Sequence, residues 1–228
     1  MFEKLLYKYL LNTLPVSRSF GFDRGLPIDR YYIEKFLSIN SSLIRGHVLE
    51  IAEPFYSKKF GKTGIDKISV LHVEETGFDG DITGDLATGK GIPEGVFDCF
   101  IQTQTLLCIY NFKEALANSV KLLKPGGVLL LTVPGISQIS RFDMDRWGHY
   151  WSFTDLSTRM LLEELIPREN ITINTYGNVK AATAFLYGLS CNDLKKDDLD
   201  FYDPDYQMTI TAVVRKPKQN KLKHNNEI

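Results

Sequence analysis

The sequence predicts an α/β domain built on a largely parallel sheet. Patterns typical of buried strands alternate with patterns typical of helices along most of its 228 residues. This alternation is typical of chains in which a helix connects one parallel strand to the next. The nearly continuous apolar run VLLLTV at 128–133 agrees, because strands of a parallel sheet are buried on both faces. The length fits one domain with a small extension.

The predicted elements follow from apolar spacing and from turn residues. Residues 27–46 have apolar side chains at helical spacing, between Pro27 as a first helical residue and Gly46 as a stop. A second group of helices is expected at 111–124, 154–167 (with Thr154 or Asp155 as its cap) and 181–189. Strands are expected at 48–52, 67–75, 97–106, 128–134, 170–178 and 206–216.

The third strand, within 80–86, is expected to be very short. Too few residues separate it from the second strand for a helical crossover, which needs about a dozen or more. We therefore expect no helix there. The stretch after the first strand is also short, and we expect one or two helical turns in it.

Composition limits the classes of partner. The net charge of −1 provides no overall attraction to nucleic acid or to a membrane surface. Three isolated cysteines without a C-x-x-C pair indicate reduced thiols and a cytoplasmic location. No His, Cys and Asp residues have the spacing of metal ligands, so no metal is expected.

The two ends of the chain differ from its middle. No apolar run approaches the roughly 20 residues that span a bilayer, so we expect no transmembrane segment. The start, MFEKLLYKYLLNTL, is interpreted as an amphipathic helix packed on the domain, with attachment to a membrane surface as the alternative. The basic end at 217–228 is expected to be a flexible tail.

One long stretch resembles a known family. FDCFIQTQTLLCIYNFKEALANSVKLLKPGGVLLLTVP (97–134) is similar to the fourth strand, helix, turn and fifth strand of class I S-adenosylmethionine-dependent methyltransferases, and the resemblance covers roughly residues 24–216. It implies a Rossmann-like class I methyltransferase fold with a mostly parallel sheet and an antiparallel C-terminal strand. The domain would span 47–216, after an N-terminal helical extension at 1–46. Segments such as PIDRYYIEKFL and RFDMDRWGHYWSFT look like a smaller branch associated with bacterial glycan synthesis.

The resemblance implies a set of cofactor residues. Glu50 matches the acidic residue of the first strand, and Glu74 matches the carboxylate that accepts hydrogen bonds from the ribose hydroxyls. Three structural alternatives stay open: Glu50 caps a neighbouring helix, Glu74 belongs to a solvated turn at the strand end, or Asp85 belongs to an Asx turn. The full set expected to contact S-adenosylmethionine is Glu50, Ala52, Glu53, Tyr56, Glu74, Asp85, Leu86, Gln102 and Thr103.

The glycine loop departs from the family pattern. Ala52, Pro54 and Tyr56 stand where the family has glycines, which allow positive φ and close approach of the backbone to a ligand. Pro54 also lacks an N–H donor. The Tyr56 ring is expected either to fill the cofactor space or to lie over the cofactor as a lid. Arg30 and Tyr31, from the N-terminal helix, are the candidates to replace the lost contacts as substrate-binding residues.

The acceptor wall is expected in RFDMDRWGHYWSFT (141–154), just after the fifth strand. His149 is the first candidate for a general base and Asp145 the second. Arg146, Trp147 and Tyr150 are candidate substrate-binding residues, because rings beside charged groups suit a sugar face and its hydroxyls. In the alternative interpretation, His149 forms a hydrogen bond with a backbone group, and the two tryptophans pack in the core of a lid.

The sequence leaves three candidate functions. The favoured one is an S-adenosylmethionine-dependent methyltransferase acting on a hydroxyl of a sugar or glycan intermediate. The alternative is an inactive relative that binds a partner enzyme of glycan synthesis, and a homodimer is possible in either case. A nicotinamide enzyme would need G-x-G-x-x-G after the first strand, and the sequence has no such motif there.

Overall fold

The structure, a computed structural model, describes residues 12–218 except 76, 78 and 79. Nearly all of the predicted N-terminal helix and of the basic tail therefore lies outside the described residues. Within the described part of the chain, no helix combines the length and the apolar character that a bilayer crossing requires.

A seven-stranded sheet forms the centre of the fold. Its order is β3-β2-β1-β4-β5-β7-β6; β1 to β5 are parallel, and β7 runs antiparallel to both β5 and β6. This confirms the predicted fold class, including the antiparallel C-terminal strand. The strands are β1 (Gly46–Ile51), β2 (Ile65–His72), β3 (Ile82–Thr83), β4 (Phe97–Thr103), β5 (Leu123–Pro134), β6 (Ile171–Tyr176) and β7 (Thr209–Arg215).

Helices cover both faces of the sheet. They are α1 (Ile28–Ile39), α2 (Phe55–Phe60), α3 (Phe112–Lys121), α4 (Arg141–Met144), α5 (Asp155–Glu163), α6 (Val179–Leu186) and α7 (Lys196–Asp200). Short 3₁₀ turns occupy Ser41–Leu43, Leu106–Cys108, Arg168–Asn170 and Cys191–Asp193. Thr154 caps α5 as predicted, since its hydroxyl accepts a hydrogen bond from the Ser157 N–H at 3.1 Å.

The two unusual connections expected from the sequence are present. The strand β3 has two residues, and the described residues between β2 and β3 form no helix. The helix α2, after β1, has only six residues. In contrast, β5 begins at Leu123 rather than at 128, because Leu123 pairs with Phe97 before a register shift brings Val128 opposite Cys99.

Each face of the sheet has its own core. On one face, α3 and α5 bury Leu116 and Leu162 against β4 and β5 residues such as Phe100. On the other, α1 packs Phe36 against residues such as Leu130 of β5. Side chains alternate between these faces along each strand, which decides the core toward which a residue at a strand end points.

The segment before α1 is fastened to the segment after α6. Val16 N–H donates to the Tyr187 carbonyl at 2.8 Å, and Arg24 pairs with Asp193 at 2.7 Å. Gly188 has φ +72°, and a Cβ there would collide with the Ser17 carbonyl. These contacts hold α1 in place over the sheet.

Candidate functional site

The carboxyl ends of the parallel strands meet at one edge of the sheet, where ligands bind in open α/β sheets. Two residues other than glycine have a positive φ at this edge. Ala52 follows β1 with φ +63°, and Gln104 follows β4 with φ +48°. Because β1 and β4 are neighbours, the strained positions lie side by side. Such strain costs about 1–2 kcal/mol per residue and is concentrated at functional sites.

Unpartnered buried polar groups collect at the same edge. Among the described residues, the buried side-chain N and O atoms without a hydrogen-bond partner belong to Gln102, Thr132 and Thr209. Gln102 and Thr132 lie near the carboxyl ends of β4 and β5, and Thr209 begins the antiparallel β7, opposite Pro134. Native structures leave few such groups unpaired, and each one is a candidate to bind a water, an ion or a ligand.

The loop after β1 begins with a residue in the left-handed conformation. Ala52 has that conformation, and Pro54 precedes the first residue of α2. Tyr56 is 5% exposed and packs in the α1-side core. Its hydroxyl accepts a hydrogen bond from Arg30 Nη1 at 2.7 Å. Contact between this ring and a cofactor stays a prediction.

Glu50 serves the fold as a helix cap. Its two carboxylate oxygens accept hydrogen bonds from the backbone N–H groups of Tyr56 and Ser57, both at 2.8 Å. Burial raises the pKa of Glu50, against the lowering effect of these donors. The carboxylate thus satisfies the start of α2, and those two N–H groups are already engaged.

The other acidic candidates differ in exposure and in hydrogen bonding. Asp85 forms an Asx turn: one oxygen accepts from the Ala87 N–H at 2.8 Å and the other from the Thr88 hydroxyl at 2.9 Å. Glu74 and Glu53, by contrast, are exposed just beyond β2 and β1. Glu74 and Glu53 are therefore the acidic candidates with solvent-exposed side chains.

The remaining cofactor candidates lie on the neighbouring loops. Leu86 is buried in the α3-side core, and its carbonyl accepts from Asn118 Nδ2 at 2.8 Å. Thr103 ends β4, and its carbonyl accepts from the Thr105 hydroxyl at 3.0 Å. These contacts fix the backbone of both loops beside the edge.

The two candidates on α1 are engaged with different neighbours. Arg30 donates to Tyr56, as described above, and thereby joins α1 to α2. Tyr31 donates to Asp200 of α7 at 2.8 Å. Burial, and then this bond to Asp200, raise the pKa of Tyr31 to about 12. The structure therefore separates the two predicted substrate residues.

The segment after β5 brings aromatic residues to the edge. Tyr150 N–H donates to the Leu107 carbonyl at 2.8 Å, which ties the segment to the turn after β4. The Tyr150 ring lies 5.5 Å from that of Tyr110, edge to face. Trp147 is 57% exposed, and the Arg146 guanidinium lies 3.6 Å from the centre of the Phe142 ring. The candidate acceptor residues Arg146, Trp147 and Tyr150 are thus exposed, the first two beside Phe142 and the third beside Tyr110.

His149 forms a hydrogen bond with a backbone N–H group, as the alternative, structural interpretation of this residue predicted. Its Nδ1 accepts a hydrogen bond from the Ser140 N–H at 3.3 Å, which places the proton of the neutral ring on Nε2. Burial lowers the pKa of His149, against a smaller opposing effect of Asp143. Asp145 is exposed and pairs with Arg141 one helical turn away.

Comparison with known proteins places the fold. No family model matches the sequence, and no curated protein matches it. The structure is similar to a SAM-dependent methyltransferase from Archaeoglobus fulgidus, with 13% identity, a TM-score of 0.55, and coverage of 88% of this chain and 100% of the other. It is also similar to 1,6-didemethyltoxoflavin-N1-methyltransferase from Burkholderia thailandensis, solved with its acceptor and S-adenosylhomocysteine (14% identity, TM-score 0.51, coverage 95% and 89%).

A third similar structure, the cyclase SpnF, has 15% identity, a TM-score of 0.53, and coverage of 95% of this chain and 92% of the other. One fold therefore serves methyltransferases and a cyclase, and the likeness shows architecture rather than activity. Strand order, the antiparallel β7 and these neighbours agree: the chain has the Rossmann-like fold of the SAM-dependent methyltransferases.

Proposed function

We propose that the protein is an S-adenosylmethionine-dependent methyltransferase whose acceptor is a hydroxyl of a sugar or glycan intermediate. The observation that carries the proposal is that strained backbone and unpartnered polar groups are concentrated at one edge of the sheet. Backbone strain at Ala52 and Gln104 and unpartnered polar groups at Gln102 and Thr132 occur where this fold places its ligands.

The residues at the edge fit the cofactor in part. The exposed Glu74 carboxylate suits a vicinal diol, because it offers two acceptor oxygens. The left-handed backbone at Ala52 allows close approach after β1, and the unpartnered Gln102 amide lies next to it on β4. S-adenosylmethionine, when bound, supplies an electrophilic methyl group. Glu50 and Asp85 contribute through the loops that they hold, since their carboxylates are already hydrogen-bonded.

The acceptor would be oriented by Arg146, Trp147 and Tyr150. Aromatic faces suit the apolar face of a sugar ring, and the guanidinium donates to its hydroxyls. Orientation and exclusion of water are the main contributions that a protein makes to such a displacement. The hydroxyl proton needs an acceptor. Both candidate bases have a partner, since His149 Nδ1 accepts from Ser140 and the Asp145 carboxylate pairs with Arg141. Either one would have to leave that partner to accept the proton.

A second candidate function is a non-catalytic relative that binds a partner protein. The observation that favours it is the internal use of Glu50 and Asp85, whose carboxylates are satisfied by the protein itself. The two proposals differ in one property that is directly measurable, namely affinity for the cofactor.

Calorimetric titration with S-adenosylmethionine and with S-adenosylhomocysteine tests the proposal. We expect micromolar binding, which Glu74→Gln weakens about tenfold by removing one charged acceptor from the diol. Glu75→Gln is the matched control, since Glu75 is the adjacent exposed carboxylate, and it should leave affinity unchanged. Absence of binding at millimolar ligand would favour the non-catalytic relative, and equal loss in both variants would remove Glu74 from the site.

A further inference from the structure

A small basic concavity lies at the opposite edge of the sheet from the candidate cofactor site. It measures about 160 Å³ and is lined by Arg45, Arg215 and Lys218 together with Asp98 and the Pro125–Gly127 turn. Arg45 precedes β1, and Arg215 ends the antiparallel β7. The seven residues of β4 separate the two edges by about 20 Å, so one small molecule does not reach both.

Within residues 12–218, as far as the structure describes them, no acidic side chain pairs with the three cations of the concavity. Arg45, Arg215 and Lys218 are exposed, and none of their side chains has a hydrogen bond or an ion pair to a described residue. Asp98 is the acidic residue of the lining, and it is engaged elsewhere. One of its oxygens accepts from Lys124 Nζ at 2.7 Å and from the His47 N–H at 2.9 Å.

The acidic residue of the lining is already balanced by a cation outside the lining. Burial, and then the charges of Lys67 and Lys124, lower the pKa of His47 on β1, and Asp98 opposes them. Although burial opposes it, the bonds from Lys124 and His47 lower the pKa of Asp98, so this carboxylate is ionised and its charge is balanced by Lys124. The two guanidinium groups and Lys218 are therefore left in excess.

Backbone hydrogen bonds join the Pro125–Gly127 turn to the residue after Arg215. Gly126 N–H donates to the Lys216 carbonyl at 2.8 Å, and Lys216 N–H donates to the Gly127 carbonyl at 2.9 Å. The Lys216 ammonium donates to the Leu123 carbonyl at 2.8 Å. Lys216 is thus turned toward the backbone of β5, while Arg215 and Lys218 on either side of it line the concavity.

We infer that this concavity binds the phosphate group of an anionic ligand. Guanidinium forks match the oxygens of tetrahedral oxyanions, and two forks with an ammonium provide three positive charges against the two negative charges of a phosphate dianion. The volume accommodates a phosphate head with the rest of the ligand outside, and it is smaller than the roughly 300 Å³ or more typical of pockets for whole small molecules. The phosphate belongs either to a free metabolite or to an anionic lipid headgroup.

The experiment titrates the full-length protein with inorganic phosphate and follows backbone amides by NMR. We expect saturable shifts at Arg45, Gly126 and Gly127, with affinity that falls as salt rises. The double variant Arg45→Gln/Arg215→Gln should weaken binding at least tenfold. Arg18→Gln is the matched control, because Arg18 is an exposed arginine remote in sequence from the concavity, and it should bind like the wild type.

Vesicles separate the two sources of phosphate. Sedimentation with phosphatidylcholine vesicles that contain phosphatidylglycerol, lost in the double variant, would assign the site to a lipid headgroup. Phosphate binding without vesicle binding would assign it to a free phosphate ester. The inference is overturned if phosphate shifts no amide of the concavity, or if the folded double variant binds as tightly as the wild type. Neither readout involves S-adenosylmethionine, so this outcome is independent of the proposed function.

Discussion

Replacing Gln102 by leucine should make the protein more stable and the site weaker. The side chain is fully buried, and both its amide atoms lack a partner. Burying an amide without partners costs about 1–3 kcal/mol. Leucine has a similar volume and would face the same core as Phe100. We therefore expect the free energy of unfolding to rise by about 2 kcal/mol, which corresponds to about 4–8 °C in Tm for a chain of this size.

Urea unfolding of the wild type and the variant measures the change, and calorimetry measures the affinity for S-adenosylmethionine. Thr132→Val is the matched control, because it removes a second unpartnered group with almost no change of shape, and it should be neutral or stabilising by up to about 1 kcal/mol. Destabilisation of Gln102→Leu by 1 kcal/mol or more would refute the reasoning, since it would mean that buried water already satisfies the amide.

Two further predictions concern the groups that hold the edge in place. Glu50→Ala should lower the free energy of unfolding by about 2–4 kcal/mol, because it leaves two buried N–H groups of α2 without an acceptor. Glu53→Ala, the exposed neighbour, should change it by less than about 0.5 kcal/mol in the same urea experiment, and similar losses in both would contradict the cap. For His149, the folded-state pKa lies below its ordinary value, so its neutral form is favoured in the fold. Stability should therefore fall as the pH drops through about 6.5. His149→Asn keeps an acceptor for Ser140 without titrating, so Tm measured at pH 7.5 and 5.5 should fall less in the variant; an identical fall would exclude this role.

The sequence was sufficient for the architecture because strand burial and turn chemistry are local. The run at 128–134 and the glycines at 126 and 127 predict a buried strand after a turn, and the structure has β5 there. Its earlier start at Leu123 was missed, since pairing across a bulge with Phe97 depends on β4 and leaves no periodic signal. The shortness of β3 and α2 was predicted from the small number of residues available in those two parts of the chain.

The sequence predicts which strands end at the candidate edge, but it does not predict the side-chain directions there. The direction of each side chain depends on which core it faces. Tyr56 illustrates this: its place in the loop suggested contact with a ligand, whereas one turn of helix carries its ring into the α1-side core. The unpartnered state of Gln102 also has no sequence signal, because it depends on the groups that surround the amide rather than on the residue itself.

The fastening of the first described residues to the segment after α6 has a consequence for biosynthesis. Arg24 and Asp193 are separated by 169 positions, and Tyr32 donates to the carbonyl of Leu199. During translation, residues 12–32 emerge early and must wait for these partners until most of the chain has been made. Contacts of such long sequence separation also slow folding. We expect the N-terminal segment to be the last part to dock, and to be the part most exposed to proteases while synthesis is in progress.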